Sequence, residues 1–247
     1  MINFSIIPER HVIGKLLRFP LRCIPNSAEV PILQGPLRGK KWIAGASNHG
    51  CWLGSYELCK QKRIRDLVHP GMTCFDIGAN VGFYTLLFAT LTGPEGIVVA
   101  FEPLPSNCRI LQQHIEINGY QNVVVQEIAL SNMNGETGFM AGDSNSTGHL
   151  ATTGELRVKC CRLDTLIEEG RTPAPHVIKL DVEGSEQFVL EGAMGLIRRH
   201  KPTIFVATHG PEAHRQCCRQ LSGIGYAIQA VDGRQVDSTD ELVAIPL

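Results

Sequence analysis
The sequence predicts an α/β fold, a mostly parallel sheet with helices on both faces and a small N-terminal extension. Three observations carry the prediction. Beyond residue 71, apolar strand-like runs alternate with helical stretches, the pattern of βα units around a parallel sheet. The first run, residues 73–77, enters a glycine-bearing turn, Gly-Ala-Asn-Val-Gly at 78–82, from which a helical stretch leaves. The length of 247 residues suits one α/β domain with a small appendage.

The boundary falls near His69-Pro70-Gly71, giving an extension over residues 1–70 and a main domain over 71–247. Arg10, Lys15, Arg18 and Arg22 interrupt the apolar start of the extension. That start therefore reads as a docked helix rather than a secretory signal. Residues 31–54 hold short strand-like pieces between glycines, such as 41–44. Residues 55–67 read as one helix, with Tyr56, Cys59, Ile64 and Leu67 on or near one face. In the main domain, strands are expected at 73–77, 96–101, 123–128, 176–180 and 203–207, with shorter ones near 226–230 and 242–245. Helices are expected at 83–91, 106–118, 163–169, 186–199 and 212–221. Ser106 suits an N-cap and Gly119 a C-terminal stop. Residues 133–160 read as polar loop and hairpin, with a glycine-rich acceptor loop at 141–148 and a structural His149.

Composition narrows the function classes. Hydrophobic residues make up 43% and charged residues 19%, ordinary for a soluble enzyme with a core of useful size. The net charge of −1 supplies no broad basic field, so nucleic acid is not an expected partner. Nine cysteines without a Cys-x-x-Cys pair fit free, mostly buried thiols in a reducing cytoplasm. No apolar run reaches the roughly 20 residues that span a bilayer. A homodimer is compatible with these features.

The turn at 78–82 is the first candidate site. Glycine at a strand-to-helix turn permits positive φ and close approach to a ligand, and the helix start offers free N–H groups. A dinucleotide loop needs glycine at the first, third and sixth positions of GxGxxG. Those positions hold Gly78, Asn80 and Phe83, so a pyrophosphate fits poorly. Glu102 lies 20 residues after Gly82, at the next strand end, followed by Pro103. An acidic residue there can accept hydrogen bonds from ribose hydroxyls. Glu127 and the backbone of Ala129, at the third strand end, are candidates to read an adenine edge.

Taken together, these segments resemble the FkbM family of methyltransferases. The resembling blocks are Trp52-Leu53-Gly54-Ser55-Tyr56-Glu57, Asp76-Ile77-Gly78-Ala79-Asn80-Val81-Gly82-Phe83-Tyr84-Thr85, Phe101-Glu102-Pro103, Ala129-Leu130-Ser131 and Ile178-Lys179-Leu180-Asp181-Val182-Glu183-Gly184-Ser185-Glu186. The last block is the most specific. The resemblance implies a Rossmann-like class I methyltransferase fold with a mostly parallel seven-stranded sheet. It also implies S-adenosylmethionine as donor, and usually O-methylation of sugars, polysaccharides or small natural products. By the same resemblance, Gly78, Ala79, Asn80 and Gly82 cradle the methionine part, and Asp76 lies near its amino group. Many relatives carry an acidic residue shortly before the histidine that follows strand five. Here the run is Phe205-Val206-Ala207-Thr208-His209-Gly210, so no carboxylate is expected there.

The reacting end gathers Lys179, Asp181 and Glu183, which strand alternation puts on one side while the strand persists. Asp181 is a candidate for both catalysis and cofactor binding. One carboxylate is expected to take the acceptor's proton, Lys179 to hold a carboxylate or a developing alkoxide, and His209 to serve as base or ligand. Asp181, Glu183 and His209 also match the donor set of a divalent metal, although no metal is predicted. Glu57 and Tyr56 are expected to fold over the cofactor as a lid. Trp52 is placed at the acceptor pocket or in a small hydrophobic cluster, and Trp42 in packing. The alternatives are a nicotinamide-dependent oxidoreductase, weakened by the failed GxGxxG and the lack of a Tyr-x-x-x-Lys pair, and a non-catalytic cofactor-binding module.

Overall fold
The computed structural model describes residues 23–140, 149–150 and 156–247. The basic N-terminal stretch, the 141–148 loop and the His149 side chain lie outside the described residues. The chain opens with a hairpin of β1 (Glu29–Pro31) and β2 (Lys41–Ile43), then two helices, α1 (Gly50–Leu53) and α2 (Leu58–Leu67). The alternating part follows as β3 (Thr73–Ile77), α3 (Phe83–Thr92), β4 (Ile97–Phe101), α4 (Pro105–Asn118) and β5 (Val123–Gln126). Four short strands come next: β6 (Ala129–Leu130), β7 (Gly135–Met140), β8 (His149–Leu150) and β9 (Leu156–Cys161). The chain then runs through α5 (Leu163–Glu168), β10 (Val177–Leu180), α6 (Glu186–Gly192), α7 (Met194–His200) and β11 (Thr203–Ala207). It closes with α8 (Pro211–Ser222), β12 (Tyr226–Ala230) and β13 (Glu241–Pro246).

The main sheet has seven strands in the order β12-β13-β11-β10-β3-β4-β5, and β13 alone runs against the others. From β3 the chain steps outward to β4 and β5, then returns to place β10 on the other side of β3. The strand order therefore reverses at the β3–β10 pair, where open α/β sheets bind ligands. Alternation along the strands feeds two cores. Phe75, Ile77, Ile178 and Leu180 face α5–α8, while Cys74, Val177 and Phe205 face α3 and the N-terminal segment. Trp42, Ile64 and Phe88 share the second core, each no more than marginally exposed.

Four local expectations are corrected. The helix expected over 55–67 is two helices, because Gly54 ends α1 at φ 72 and Glu57 precedes α2 at φ 43. Cys59 consequently faces solvent rather than the core. The helix expected over 186–199 breaks at Ala193, where Gly192 packs so tightly that an added Cβ would lie 2.0 Å from the Ser131 carbonyl oxygen. The Asp164 carboxylate then accepts the N–H groups of Gly195 and Leu196 and caps the second half. Ser106 is not an N-cap, since α4 starts at Pro105, which suits a first helical position. The strand expected over 123–128 splits, and four short strands after it build a second sheet in the order β6-β9-β7-β8.

One face of α4 holds the N-terminal hairpin. Asn118 Oδ1 accepts the Lys41 N–H at 2.8 Å, and its Nδ2 donates to the Lys41 carbonyl at 2.9 Å. One turn earlier, His114 Nε2 accepts the Ile43 N–H at 3.0 Å, and Nδ1 lies 2.7 Å from the Val81 carbonyl. These partners fix a neutral ring with its proton on Nδ1. Burial pushes the His114 pKa from 6.5 down to about 4, the Val81 carbonyl opposing. The native state then takes up its proton only below pH 4, while the unfolded chain does so below 6.5. Stability is therefore full above that upper value and falls by about 3 kcal/mol as pH drops toward 4. Urea melts of a His114→Phe variant should show a much smaller loss across this window than the wild type.

Candidate functional site
The loop after β3 is shaped by three left-handed residues. Gly78 (φ 73), Asn80 (φ 50) and Gly82 (φ 97) alternate with Ala79 and Val81. Asparagine tolerates that region better than most side chains, so Asn80 takes a conformation that a dinucleotide loop gives to glycine. The N–H groups of Gly78 and Ala79 both donate to the Phe101 carbonyl at 3.0 Å, tying the loop to the end of β4. At Gly78 a Cβ would sit 1.8 Å from the Asp181 carbonyl oxygen, and at Gly82 it would meet the Leu111 side chain at 2.3 Å. The loop lines a cleft with Glu102, Pro103, Asn107, Ile128 and Ala129 on one side. Lys179, Asp181 and Glu183 line it on the other.

Glu102 organises the first side. One carboxylate oxygen accepts the Asn80 N–H at 2.8 Å, and the other accepts the Leu104 N–H and the Asn107 side-chain amide. Burial raises its pKa above the usual range, although these donors oppose it. Pro103 and Ala129 also line the cleft. Glu127 does not; it is exposed, because β5 ends at Gln126 and the chain turns there.

Asp76 lies beneath the cleft, fully buried, and does not line it. Its carboxylate accepts the Thr85 hydroxyl at 2.6 Å and pairs with Lys179 Nζ at 3.2 Å. Lys179 is buried too, donating to the Gly78 carbonyl at 2.8 Å and lying 3.7 Å from Asp181. Burial disfavours its ammonium, but Asp76 and Asp181 outweigh this and keep its pKa above the ordinary lysine value. Lys179 is thus a fixed cation that braces loop and strand. Burial likewise opposes the Asp181 carboxylate, while Lys179, Lys60 and His209 prevail and lower its pKa.

Strand alternation carries only as far as Asp181. β10 ends at Leu180, and Glu183 reaches the cluster through a left-handed turn at φ 56. His209 Nε2 lies 3.8 Å from Asp181 and 3.5 Å from Glu183, while its Nδ1 lies 2.8 Å from Glu186. The bond to Glu186 raises the His209 pKa to about 9, against its partial burial. Glu186 is fully buried, and it also accepts the N–H groups of Val182 and Gly184. Burial raises the Glu183 pKa. The donor atoms of Asp181, Glu183 and His209 lie within 4.8 Å of one another.

The N-terminal segment closes the back of the cleft. Trp42, Ser47, Cys51 and Tyr56 line it, whereas Trp52 does not. Both tryptophans pack in the second core, as expected for Trp42 and as one of the two places expected for Trp52, and Trp42 additionally lines the cleft. Glu57 stands behind Tyr84, accepting its hydroxyl at 2.5 Å and pairing with Lys60 at 2.7 Å. Lys60, buried, also pairs with Glu241 at 2.6 Å. Two ammonium groups lie near the Tyr84 ring, Lys60 at 5.2 Å and Lys179 at 5.6 Å from its centroid. Sequence reasoning missed Lys60, Tyr84, Glu186 and Glu241. Glu186 had one signal, its place in the 178–186 block; Lys60 and Glu241 had none, being far apart in the chain.

Known proteins place the chain. Residues 76–240, about two thirds of it, match the methyltransferase FkbM domain. The hexuronic acid methyltransferase AglP of Haloferax volcanii is 32% identical over 120 residues, covering 48% of each chain. Methyltransferase 1 of Beauveria bassiana is 27% identical over 141 residues, covering 47% of this chain and 56% of that protein. The chain thus spans about half the length of the curated relatives it matches. Two solved structures share the fold. The methyltransferase FkbM of Methylobacillus flagellatus has a TM-score of 0.50 at 18% identity, covering 81% of this chain and 55% of that one. An S-adenosylmethionine-dependent O-methyltransferase of Thermotoga maritima has a TM-score of 0.50 at 12% identity, covering 78% and 66%. With the model match spanning the loop, the Glu102 strand end and the 178–186 block alike, the chain belongs to the FkbM methyltransferase domain family.

Proposed function
We propose that the protein is an S-adenosylmethionine-dependent O-methyltransferase acting on a hydroxyl of a sugar, polysaccharide or small natural product. One observation carries this reading: the glycine-bearing loop meets Asp181 and Glu183 in one cleft at the carboxyl ends of β3 and β10, with His209 outside the lining and 3.5 Å from Glu183. Membership of the family and the likeness to a hexuronic acid methyltransferase support it.

The residues present fit the cofactor. Gly78 and Gly82 let the loop pack against the Asp181 carbonyl and the Leu111 side chain, where a Cβ would collide, and with Ala79 and Asn80 they form the cradle for the methionine part. Glu102, beside Pro103, has acceptor capacity left for ribose hydroxyls. The backbone at Ala129, rather than the exposed Glu127, faces the adenine. Asp181, held ionised, suits the cofactor's ammonium group, and Glu57 acts through Tyr84 as part of the cover. Asp76 acts from beneath, through Lys179. Within the extension expected over 1–70, the described residues 23–70 supply the cover, and 71–247 is the catalytic domain in this reading. A cytoplasmic site of action is part of the same proposal, supported by the buried free thiols of Cys51, Cys74, Cys108, Cys160, Cys161 and Cys217. No helix among the described residues is long and apolar enough to cross a membrane.

When bound, S-adenosylmethionine supplies an activated methyl group on sulfur. The chain's own task is to hold the acceptor hydroxyl in line and to take one proton. Glu183 takes it, since it lines the cleft and its raised pKa makes it a better base than Asp181. His209, held by Glu186, orients both carboxylates. Lys179 stays protonated throughout and keeps the loop and Asp181 in register.

Calorimetry should show binding of S-adenosylhomocysteine and none of NAD; the reverse would overturn the cofactor assignment. Methyl label transferred from the donor to a panel of glycosides should resist alkali, as an ether does. Label that alkali releases would mean transfer to a carboxylate, and the hydroxyl reading would fall. Activity should survive exhaustive chelation, because Lys179 and the His209 proton already balance the carboxylates that a metal would need. Loss of activity on chelation, restored by a divalent ion, would show that the cluster is a metal site.

A further inference from the structure
We propose that His114 is a positioning residue for the cofactor loop, locking the Val81 carbonyl from beneath and the Trp42 wall from behind. This rests on the cofactor assignment above. Val81 lies between Asn80 and Gly82, and all three line the cleft. Its carbonyl is held by His114 Nδ1 at 2.7 Å. The same ring stacks on Trp42 with centroids 3.9 Å apart and planes 17° from parallel. Trp42 in turn sets its edge against Phe83, the first residue of α3, at 6.0 Å. One turn earlier on α4, Leu111 fills the space under Gly82. Helix α4 thus grips the loop at two successive residues, and His114 links that grip to the N-terminal wall.

The geometry requires one tautomer. A carbonyl can only accept and the Ile43 amide can only donate, so Nδ1 carries the proton and Nε2 is bare. Without the ring, the Val81–Gly82 peptide loses the bond at its carbonyl and keeps the one from the Gly82 N–H to the Ala79 carbonyl at 2.9 Å. The loop N–H groups and the Asn80 left-handed turn then lose the constraint that aims them at the ligand. Asn118 serves as an internal control. It docks the same hairpin through Lys41 but touches neither Val81 nor Trp42 in its hydrogen bonds.

The test compares His114→Phe, which keeps an aromatic ring, with Asn118→Ala. Calorimetry with S-adenosylhomocysteine should give a dissociation constant about tenfold higher for His114→Phe, the worth of one net hydrogen bond. Asn118→Ala should stay within about twofold of wild type, below half a kcal/mol on the same scale. Equal affinity in folded His114→Phe, or an equal loss in both variants, would overturn the proposal, the second by showing that hairpin docking alone matters. Nitrogen-15 spectra of the wild-type imidazole provide a measurement independent of variant folding. A proton on Nδ1 and a shift of that resonance on adding S-adenosylhomocysteine are expected. A proton on Nε2, or no shift under saturating ligand, would overturn it. If the wild type binds no S-adenosylhomocysteine, the cofactor assignment fails, while the tautomer still tests the lock itself.

Discussion

Gly78→Ala is expected to abolish binding of S-adenosylhomocysteine and to destabilise the fold by roughly 3 to 5 kcal/mol. Two costs add. The residue sits at φ 73, where an L side chain is strained. Its Cβ would also lie 1.8 Å from the Asp181 carbonyl oxygen. That oxygen belongs to backbone and cannot swing aside. The Asp181 N–H is bonded to the Ile77 carbonyl at 3.1 Å, and β10 lies between β3 and β11 in mid-sheet. Relief therefore requires β3 and β10 to part at the end where the cleft opens. Gly119→Ala is the matching control, at φ 69 with nothing within 4 Å of the added carbon. It should cost only about 1 kcal/mol and leave binding intact. Chemical denaturation and calorimetry measure both effects. Normal affinity in Gly78→Ala would show that the close approach does not shape the loop.

Lys179→Met should be the most damaging change at the reacting end. It leaves Asp76, fully buried, with only the Thr85 hydroxyl, and takes away the cation beside Asp181. Removing one partner of a buried ion pair costs about 3 to 5 kcal/mol, because an uncompensated charge stays behind. The double variant Lys179→Met, Asp76→Asn should recover part of that loss, since the stranded charge is gone. Urea melts of the two single variants and the double one give the coupling directly. A loss within about 1 kcal/mol for Lys179→Met would mean that the pair is dispensable to the fold. Activity should fall in all three, because the Gly78 carbonyl loses its donor in the two lysine variants and the brace loses its charge balance in Asp76→Asn.

Much of the frame was legible in the residues themselves. Apolar runs between turn residues located the strands of the main sheet. The glycines at 78 and 82 announced the loop, and Glu102 followed at the next strand end. Those signals are local, because a strand, a positive φ or a helix stop is decided within a few residues. The same logic misled where a local pattern met a tertiary demand. The periodicity over 186–199 ignores Gly192 pressed against the Ser131 carbonyl, and the helix breaks there. Residues 133–160 read as polar loop and hairpin, and the antiparallel pair of β7 with β9 is joined by β6 into a sheet that no local pattern announced.

The site divides along the same line. Sequence by itself determined the family and the position of the glycine-bearing loop, and it singled out Lys179, Asp181 and Glu183 as one group. Only the tertiary structure decided that Asp76 and Lys179 are a buried brace and that Glu127 faces water. It also set Trp42 rather than Trp52 at the cleft, and placed Glu57, Lys60 and Glu241 in one ion-pair network. The physical reason is range. Backbone conformation follows from neighbours in the chain, whereas burial, charge balance and the proton on His114 depend on groups brought together across as many as 181 positions of sequence, the separation of Lys60 from Glu241.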